Sequence, residues 1–210
     1  MKTIYKLLMS VVMAGMLVSC DTQQDVWNTG ISSPYHDCTI MEYLRGDSYN
    51  WELTVELIER AGLTDLFEGQ VDTLPEITFW GFPSYSVKRY LLDNGLTRVD
   101  EIEFAVSREL VLKHVVKGKV LKKDIAFRDK DYYIFDREQT GGTGLEGLAG
   151  NSLKAYVDKT QYSGVPETGA EVLYLYSFSA ETMVPLACPD IQPNNGVVHS
   201  LNYNYVLGKI

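Results

Sequence analysis

Residues Asp190-Ile191-Gln192-Pro193-Asn194-Asn195-Gly196-Val197-Val198-His199-Ser200-Leu201 decide the fold class. Asn195-Gly196 lies between two apolar stretches. Asn-Gly is a strong short-range hairpin signal because both residues tolerate positive φ. The spacing therefore predicts a β-hairpin turning at Asn195-Gly196. Its second strand runs from Val197 to Leu207, with Val197, His199, Leu201, Tyr203 and Tyr205 on one face and Val198, Ser200, Asn202 and Asn204 on the other.

Working back from the hairpin, short strand patterns recur at Val184–Ala187, Glu171–Phe178, Leu153–Val157 and Tyr132–Phe135, separated by Gly- or Pro-containing turns. Further upstream the period changes. Ile40, Met41 and Leu44 predict a short helix over Cys38–Leu44. Leu53, Leu57 and Ile58 predict a second over Leu53–Ala61, stopped by Gly62, with Leu63–Phe67 as a further turn. Glu76–Phe82 reads as a buried strand ended by Pro83. Residues 85–93 read as a helix stopped by Asn94-Gly95, and a helix capped by Ser107 is expected to run to Lys117, closed by Gly118. Helices first and strands later predict an α+β domain rather than alternating βαβ units.

Four stretches carry a resemblance to a known family. Asp190-Ile191 followed by Asn195-Gly196-Val197-Val198-His199 resembles the C-terminal motif of the fasciclin domain family. Glu109–Val120, with His114-Val115-Val116-Lys117-Gly118, is similar to that family's central Tyr-His-Val-Val-x-Gly helix, with Lys113 where the tyrosine stands. Ile77–Ser84 is a weaker match to its Thr-Val-Phe-Ala-Pro-Thr segment, and Leu148–Leu153 to the strand before its later sheet. The matches occur in family order. The resemblance implies a wedge of mostly antiparallel strands with helices packed at one side. It also implies an adhesion or binding role rather than an enzyme, with His114, Asn195, Gly196 and His199 as structural motif residues.

Read on their own, His114 and His199 fall on apolar faces and suit buried, hydrogen-bonded structural roles. His36-Asp37-Cys38 has no second pair at zinc spacing, so no metal or other cofactor is expected. Gly142–Gly147 matches G-x-G-x-x-G, but no helix follows to present its N-terminus to a pyrophosphate; a flexible loop is expected. The segment Lys117–Lys123 is the one basic run and reads as a solvated helix end. The tyrosines concentrated after residue 131 could form a binding surface, with core packing the favoured reading.

The N-terminus suggests a location. Lys2 and Lys6 precede an apolar run over Leu7–Val18 that ends in Leu17-Val18-Ser19-Cys20. This is the layout of a secretory signal peptide, and the run is short for a membrane span. Its end resembles the lipobox of bacterial lipoproteins, which implies cleavage before Cys20 and lipidation of its thiol. The expected organisation is a signal peptide over 1–19, a lipid-anchored tether over 20–36 and one domain over 37–210. Asp21 directly after Cys20 resembles an inner-membrane retention signal of proteobacteria, and the acidic residues there resemble a surface-export signal of the Bacteroidetes; an outer-membrane lipoprotein at the cell surface or periplasmic face is the favoured expectation. Cys38 and Cys188 remain either as a disulfide or as two buried thiols.

The chain has 19 basic and 28 acidic residues in 210, a net charge of −9, which argues against nucleic acid as a partner. The function expected is a binding module for a protein or glycan. The alternatives are an accessory polysaccharide-active enzyme and a structural subunit of a surface assembly.

Overall fold

The computed structural model describes residues 33–133 and 136–210, of which Pro34–Ile210 form one compact unit. The signal-peptide and lipidation readings, including Cys20, lie outside the described residues. The fold is α+β, with five α-helices and nine strands in two sheets among the described residues.

The elements run β1 (Tyr35–His36), α1 (Ile40–Gly46), α2 (Ser48–Arg60), α3 (Thr64–Phe67), β2 (Ile77–Gly81), α4 (Ser84–Asp93), α5 (Phe104–Leu112) and β3 (Val115–Lys117). There follow β4 (Thr143–Glu146), β5 (Ser152–Lys159), β6 (Glu171–Ser177), β7 (Thr182–Val184), β8 (Leu186–Pro193) and β9 (Gly196–Leu201). The larger sheet has the order β1-β8-β9-β2-β3 and the smaller β4-β5-β6-β7. Five of the seven ladders are antiparallel; β1 with β8 and β2 with β9 are parallel.

The early helices form where periodicity and caps agree. Thr39 and Glu42 make a reciprocal capping box at α1, whose Ile40, Met41 and Leu44 are buried. The helix expected to start at Leu53 begins five residues earlier, because the Asp47 carboxylate accepts from the Asn50 N–H and opens α2 at Ser48. Gly62, with φ +63, ends it as expected. All five residues of β2 are buried, because this strand lies between β9 and β3 with both of its faces covered.

Several expectations are corrected. The helix expected from Ser107 to Lys117 spans only Phe104–Leu112. Ser107 lies inside it, its hydroxyl donating back to the Glu103 and Phe104 carbonyls at 3.0 Å each. The β-branched pair Val115-Val116 leaves the helix and forms β3 against β2. The basic run is thus a strand end, a turn and a 3₁₀ turn over Lys122–Asp124, and Lys119 and Lys122 pair with Glu76 and Glu171. Gly142–Gly147 is largely β4, paired with β5, and not a loop. No strand contains Tyr132 or Tyr133; Ile134 and Phe135 lie outside the described residues. The final strand ends at Leu201, and Asn202–Ile210 is irregular.

The deciding hairpin exists, but its turn differs from the expectation. β8 and β9 pair antiparallel through a turn at Asn194-Asn195, and neither Asn195 nor Gly196 has a positive φ. Gly196 is needed for close approach: a Cβ there would sit 2.0 Å from the Ile77 carbonyl oxygen of neighbouring β2. Asn195 holds three segments together. Its Oδ1 accepts from the Ile40 N–H at the start of α1 (2.7 Å), and its Nδ2 donates to the Phe67 carbonyl at the end of α3 (2.9 Å). Both of those helix-end groups would otherwise lack an intrahelical partner.

Candidate functional site

A concavity between α2 and α4 has a volume of about 810 Å³. Tyr49, Glu52, Leu53 and Glu56 recur at i, i+3, i+4 and i+7 and so share one stripe of α2. Ser84, Tyr85, Lys88 and Leu91 form the corresponding stripe of α4. Thr97, Arg98 and Val99 enter from the following segment, and Tyr203 from the chain after β9. Leu91 and Val99 are buried at its base.

Tyr49, Tyr203 and Tyr85 are exposed, at 92%, 69% and 52%. For aromatic rings this amounts to an unsatisfied surface on a molecule that buries Trp80, Phe79 and Phe82 completely. Two of the rings are held in place. Tyr85 and Tyr203 meet edge to face, with centroids 6.3 Å apart, and the Arg89 guanidinium lies 5.3 Å from the Tyr85 ring.

The polar lining divides in two. Thr97 is committed to Glu101, and Arg98 pairs with Asp100. Glu52, Glu56 and Lys88 have no hydrogen-bond or ion-pair partner among the described residues. Partial burial pushes the Glu56 carboxyl up, helped by the like charges of Glu52, Glu59 and Asp100. A second depression of about 440 Å³ shares Glu56, Arg98 and Val99 with the first and continues past Glu59 and Arg60.

The residues singled out from the sequence lie elsewhere. His114 and His199 are fully buried. His114 Nδ1–H donates to the Leu110 carbonyl (2.7 Å), and its Nε2 accepts from the Tyr205 hydroxyl (2.8 Å). The Ser86 hydroxyl donates to the Tyr205 carbonyl (2.7 Å), which fastens the C-terminal segment to α4 and α5. His199 Nε2–H donates to the Val120 carbonyl (2.8 Å), and its Nδ1 accepts from the Asp190 N–H (3.2 Å). Both rings are neutral in these networks, and desolvation lowers both pKa values, His114 to about 3. Trp80 stacks on His199 at 4.5 Å.

Cys38 and Cys188 stand as free thiols in the structure, and they are not two buried ones: Cys38 is half-buried and Cys188 exposed. The Asn194 N–H donates to the Cys38 carbonyl, so Cys38 lies beside Asn194, six residues along the chain from Cys188. Burial pushes the Cys38 thiol up, with Glu42 and Asp37 adding to it. Among the described residues no group of three or more His, Cys, Asp or Glu side chains is placed to hold a metal ion, and no helix is long and apolar enough to cross a membrane. The tyrosines after residue 131 divide: Tyr156, Tyr176 and Tyr205 are core, while Tyr133, Tyr162 and Tyr203 are exposed.

Sequence reasoning missed the cleft. A helix that begins at Leu53 leaves out Tyr49 and Glu52, half of the α2 stripe. Asp47, four residues before Trp51, was the capping signal that would have recovered them.

No family model matches the chain, and no curated protein does. Among solved structures it is similar to a FAS1 domain pair from the insect cell adhesion molecule fasciclin I, with a TM-score of 0.48 and 16% identity. The match covers 73% of this chain and 43% of that one, so the chain spans less than half the length of that structure.

Proposed function

We propose that this protein is a binding module of the cell envelope that attaches to a protein or glycan partner through the cleft between α2 and α4. The observation that carries this reading is the set of three exposed tyrosines, two of them in edge contact, around a cleft whose Glu52, Glu56 and Lys88 have no partner among the described residues. Such a surface loses exposed aromatic area and satisfies polar groups only when something occupies it. The motif resemblance to fasciclin domains points the same way, toward adhesion by binding without turnover. The leader pattern ending at Cys20 supports attachment through lipid at the outer membrane, facing either the surface or the periplasm.

A second reading rests on Glu52 and Glu56, because a raised carboxyl in a cleft is also what a polysaccharide-active enzyme uses. Glycoside hydrolysis requires two carboxyl groups flanking the scissile bond. These two stand one turn apart on the same helix, and the facing stripe of α4 contributes Lys88 instead. Binding is the better-supported reading.

The test compares cells carrying the full chain with cells carrying the Tyr49→Ala/Tyr85→Ala/Tyr203→Ala variant at equal envelope level. Attachment is measured to surfaces coated with matrix protein, mucin or polysaccharide. The expected result is attachment at least tenfold lower for the variant on one of the coats, with the coat left intact. Equal attachment on every coat, or hydrolysis of a coat, overturns the reading. Substituting Cys20→Ser should move the protein from the membrane fraction to the soluble one.

A further inference from the structure

We infer that the occupant of this cleft is a neutral oligosaccharide chain, an assignment that rests on the cleft being the binding site proposed above. Three properties of the lining select this chemistry.

The first is the pairing of flat rings with unpartnered polar groups. Pyranose rings have C–H faces that stack on aromatic rings and hydroxyl edges that both donate and accept. Tyr85, Tyr203 and Tyr49 supply the rings; Glu52 and Glu56 can only accept, and Lys88 can only donate. A hydroxyl-bearing ligand satisfies both kinds at once. An apolar helix or peptide side chain would instead bury Glu52, Glu56 and Lys88 without partners, at a cost in desolvation.

The second is charge. Carboxylates on α2 face Lys88 on α4, with Arg98 held by Asp100, so the unpartnered charges of the cleft are mixed in sign and sum to a single negative charge. A ligand of strong charge of either sign meets a like charge inside it. The net charge of −9 further disfavours a polyanion.

The third is shape. The cleft lies within the roughly 300–1,000 Å³ usual for small-ligand pockets, and it continues at Glu56, Arg98 and Val99 into the second depression of about 440 Å³. An elongated track of this kind suits several linked sugar units better than a single compact molecule. The edge contact of Tyr85 with Tyr203 and the Arg89 cover of Tyr85 fix the rings before binding, which lowers the ordering cost.

The test is calorimetric titration of the detergent-solubilised full chain with five hexasaccharides. Three are neutral, the β-1,4-linked hexamers of glucose, mannose and xylose; one is acidic, of galacturonate; one is cationic, of glucosamine. The expected result is binding of at least one neutral hexamer more tightly than either charged one. That binding should weaken at least tenfold in Tyr85→Ala and in Tyr203→Ala, largely survive in Tyr203→Phe, and weaken severalfold in Lys88→Met. All of these side chains are at the surface of the cleft, and far-UV circular dichroism confirms folding of each variant. Binding of no neutral hexamer, preference for a charged one, or affinity unchanged in the two alanine variants overturns the assignment. If no hexamer binds while attachment to a protein coat still depends on the three tyrosines, the oligosaccharide inference fails and the binding-module reading stands.

Discussion

Asn195 joins three pieces of chain with one amide. Its two hydrogen bonds close the first N–H of α1 and the last carbonyl of α3, and β9 starts at the next residue. A buried group that loses its partner costs about 1–3 kcal/mol. Both groups here are partly buried, so Asn195→Ala should destabilise by about 2 kcal/mol in urea unfolding. Asn195→Asp should also destabilise, because it keeps the acceptor but turns a carboxylate toward the Phe67 carbonyl. Two variants as stable as the parent would show that the bridge contributes nothing. His114 makes a prediction in pH. Its pKa is near 3 when folded and about 6.5 when unfolded. The unfolded chain therefore binds the extra proton first as pH falls. Stability from this residue is complete above about pH 6.5 and declines toward pH 3 by about 1.4 kcal/mol per pH unit. His199 is shifted the same way by burial, opposed by the Val120 carbonyl and Asp190. Denaturant unfolding between pH 7 and 4 should show this slope. His114→Gln should make it shallower by about 1.4 kcal/mol per unit, and an unchanged slope would mean that His114 is not held neutral.

Elements differ in how plainly their residues announce them. α1, α2 and α4 were legible because an apolar stripe, a terminal glycine or asparagine and a polar outer face agree over seven or more residues. β5 and β6 were legible from Leu, Val and Tyr between turn residues. β3 is hidden: its two valines continue the apolar face of α5, and only the free edge of β2, whose Phe79 and Thr78 pair with them from far upstream, draws them into a sheet. The Asn-Gly signal marks the hairpin but not its cause, since Gly196 answers to the backbone of β2 and not to a turn torsion. Tyr49 and Glu52 were unreadable as site residues because their meaning depends on α4 lying opposite. β4 shows how a motif can mislead: Gly142–Gly147 fits a nucleotide-loop pattern, while Gly144 is an exposed edge-strand residue opposite Lys154, with nothing within 4 Å of a Cβ built on it. Glycine in a strand interior sacrifices entropy and side-chain contacts. Gly144→Thr should therefore raise stability by up to about 1 kcal/mol, seen as a higher melting temperature. A destabilising effect would argue that this segment is not a strand in solution.

At the scale of the molecule, the two sheets could behave as one unit or as two. The smaller sheet has four strands and aromatic pairs of its own, including Tyr156 stacked on Tyr174 at 5.7 Å. Its inward residues Leu153, Ala155, Val157, Leu173, Leu175 and Val184 nonetheless belong to the same continuous core as Ile40, Leu57, Phe79 and Val198. Hydrogen bonds cross as well: the Leu148 N–H donates to the Val115 carbonyl, and the Asn151 side-chain Nδ2 donates to the Lys113 carbonyl. Stripping the small sheet away would expose apolar area on both sides of that core, at roughly 25 cal/mol per Å². Partial unfolding should thus cost nearly as much as complete unfolding, and the whole domain should melt in one step. The probes separate once Trp27 is replaced by Phe, leaving Trp51 and Trp80 with α2 and the larger sheet, and once the tyrosine signal is taken as the part lost in Tyr156→Phe, which belongs to the Tyr156–Tyr174 stack of the smaller one. Tryptophan fluorescence and tyrosine near-UV circular dichroism followed through urea should give the same midpoint and slope. A tyrosine signal lost at lower urea than the tryptophan signal would make the smaller sheet a separate, weaker unit, and would place the cleft between α2 and α4 wholly on the sturdier one.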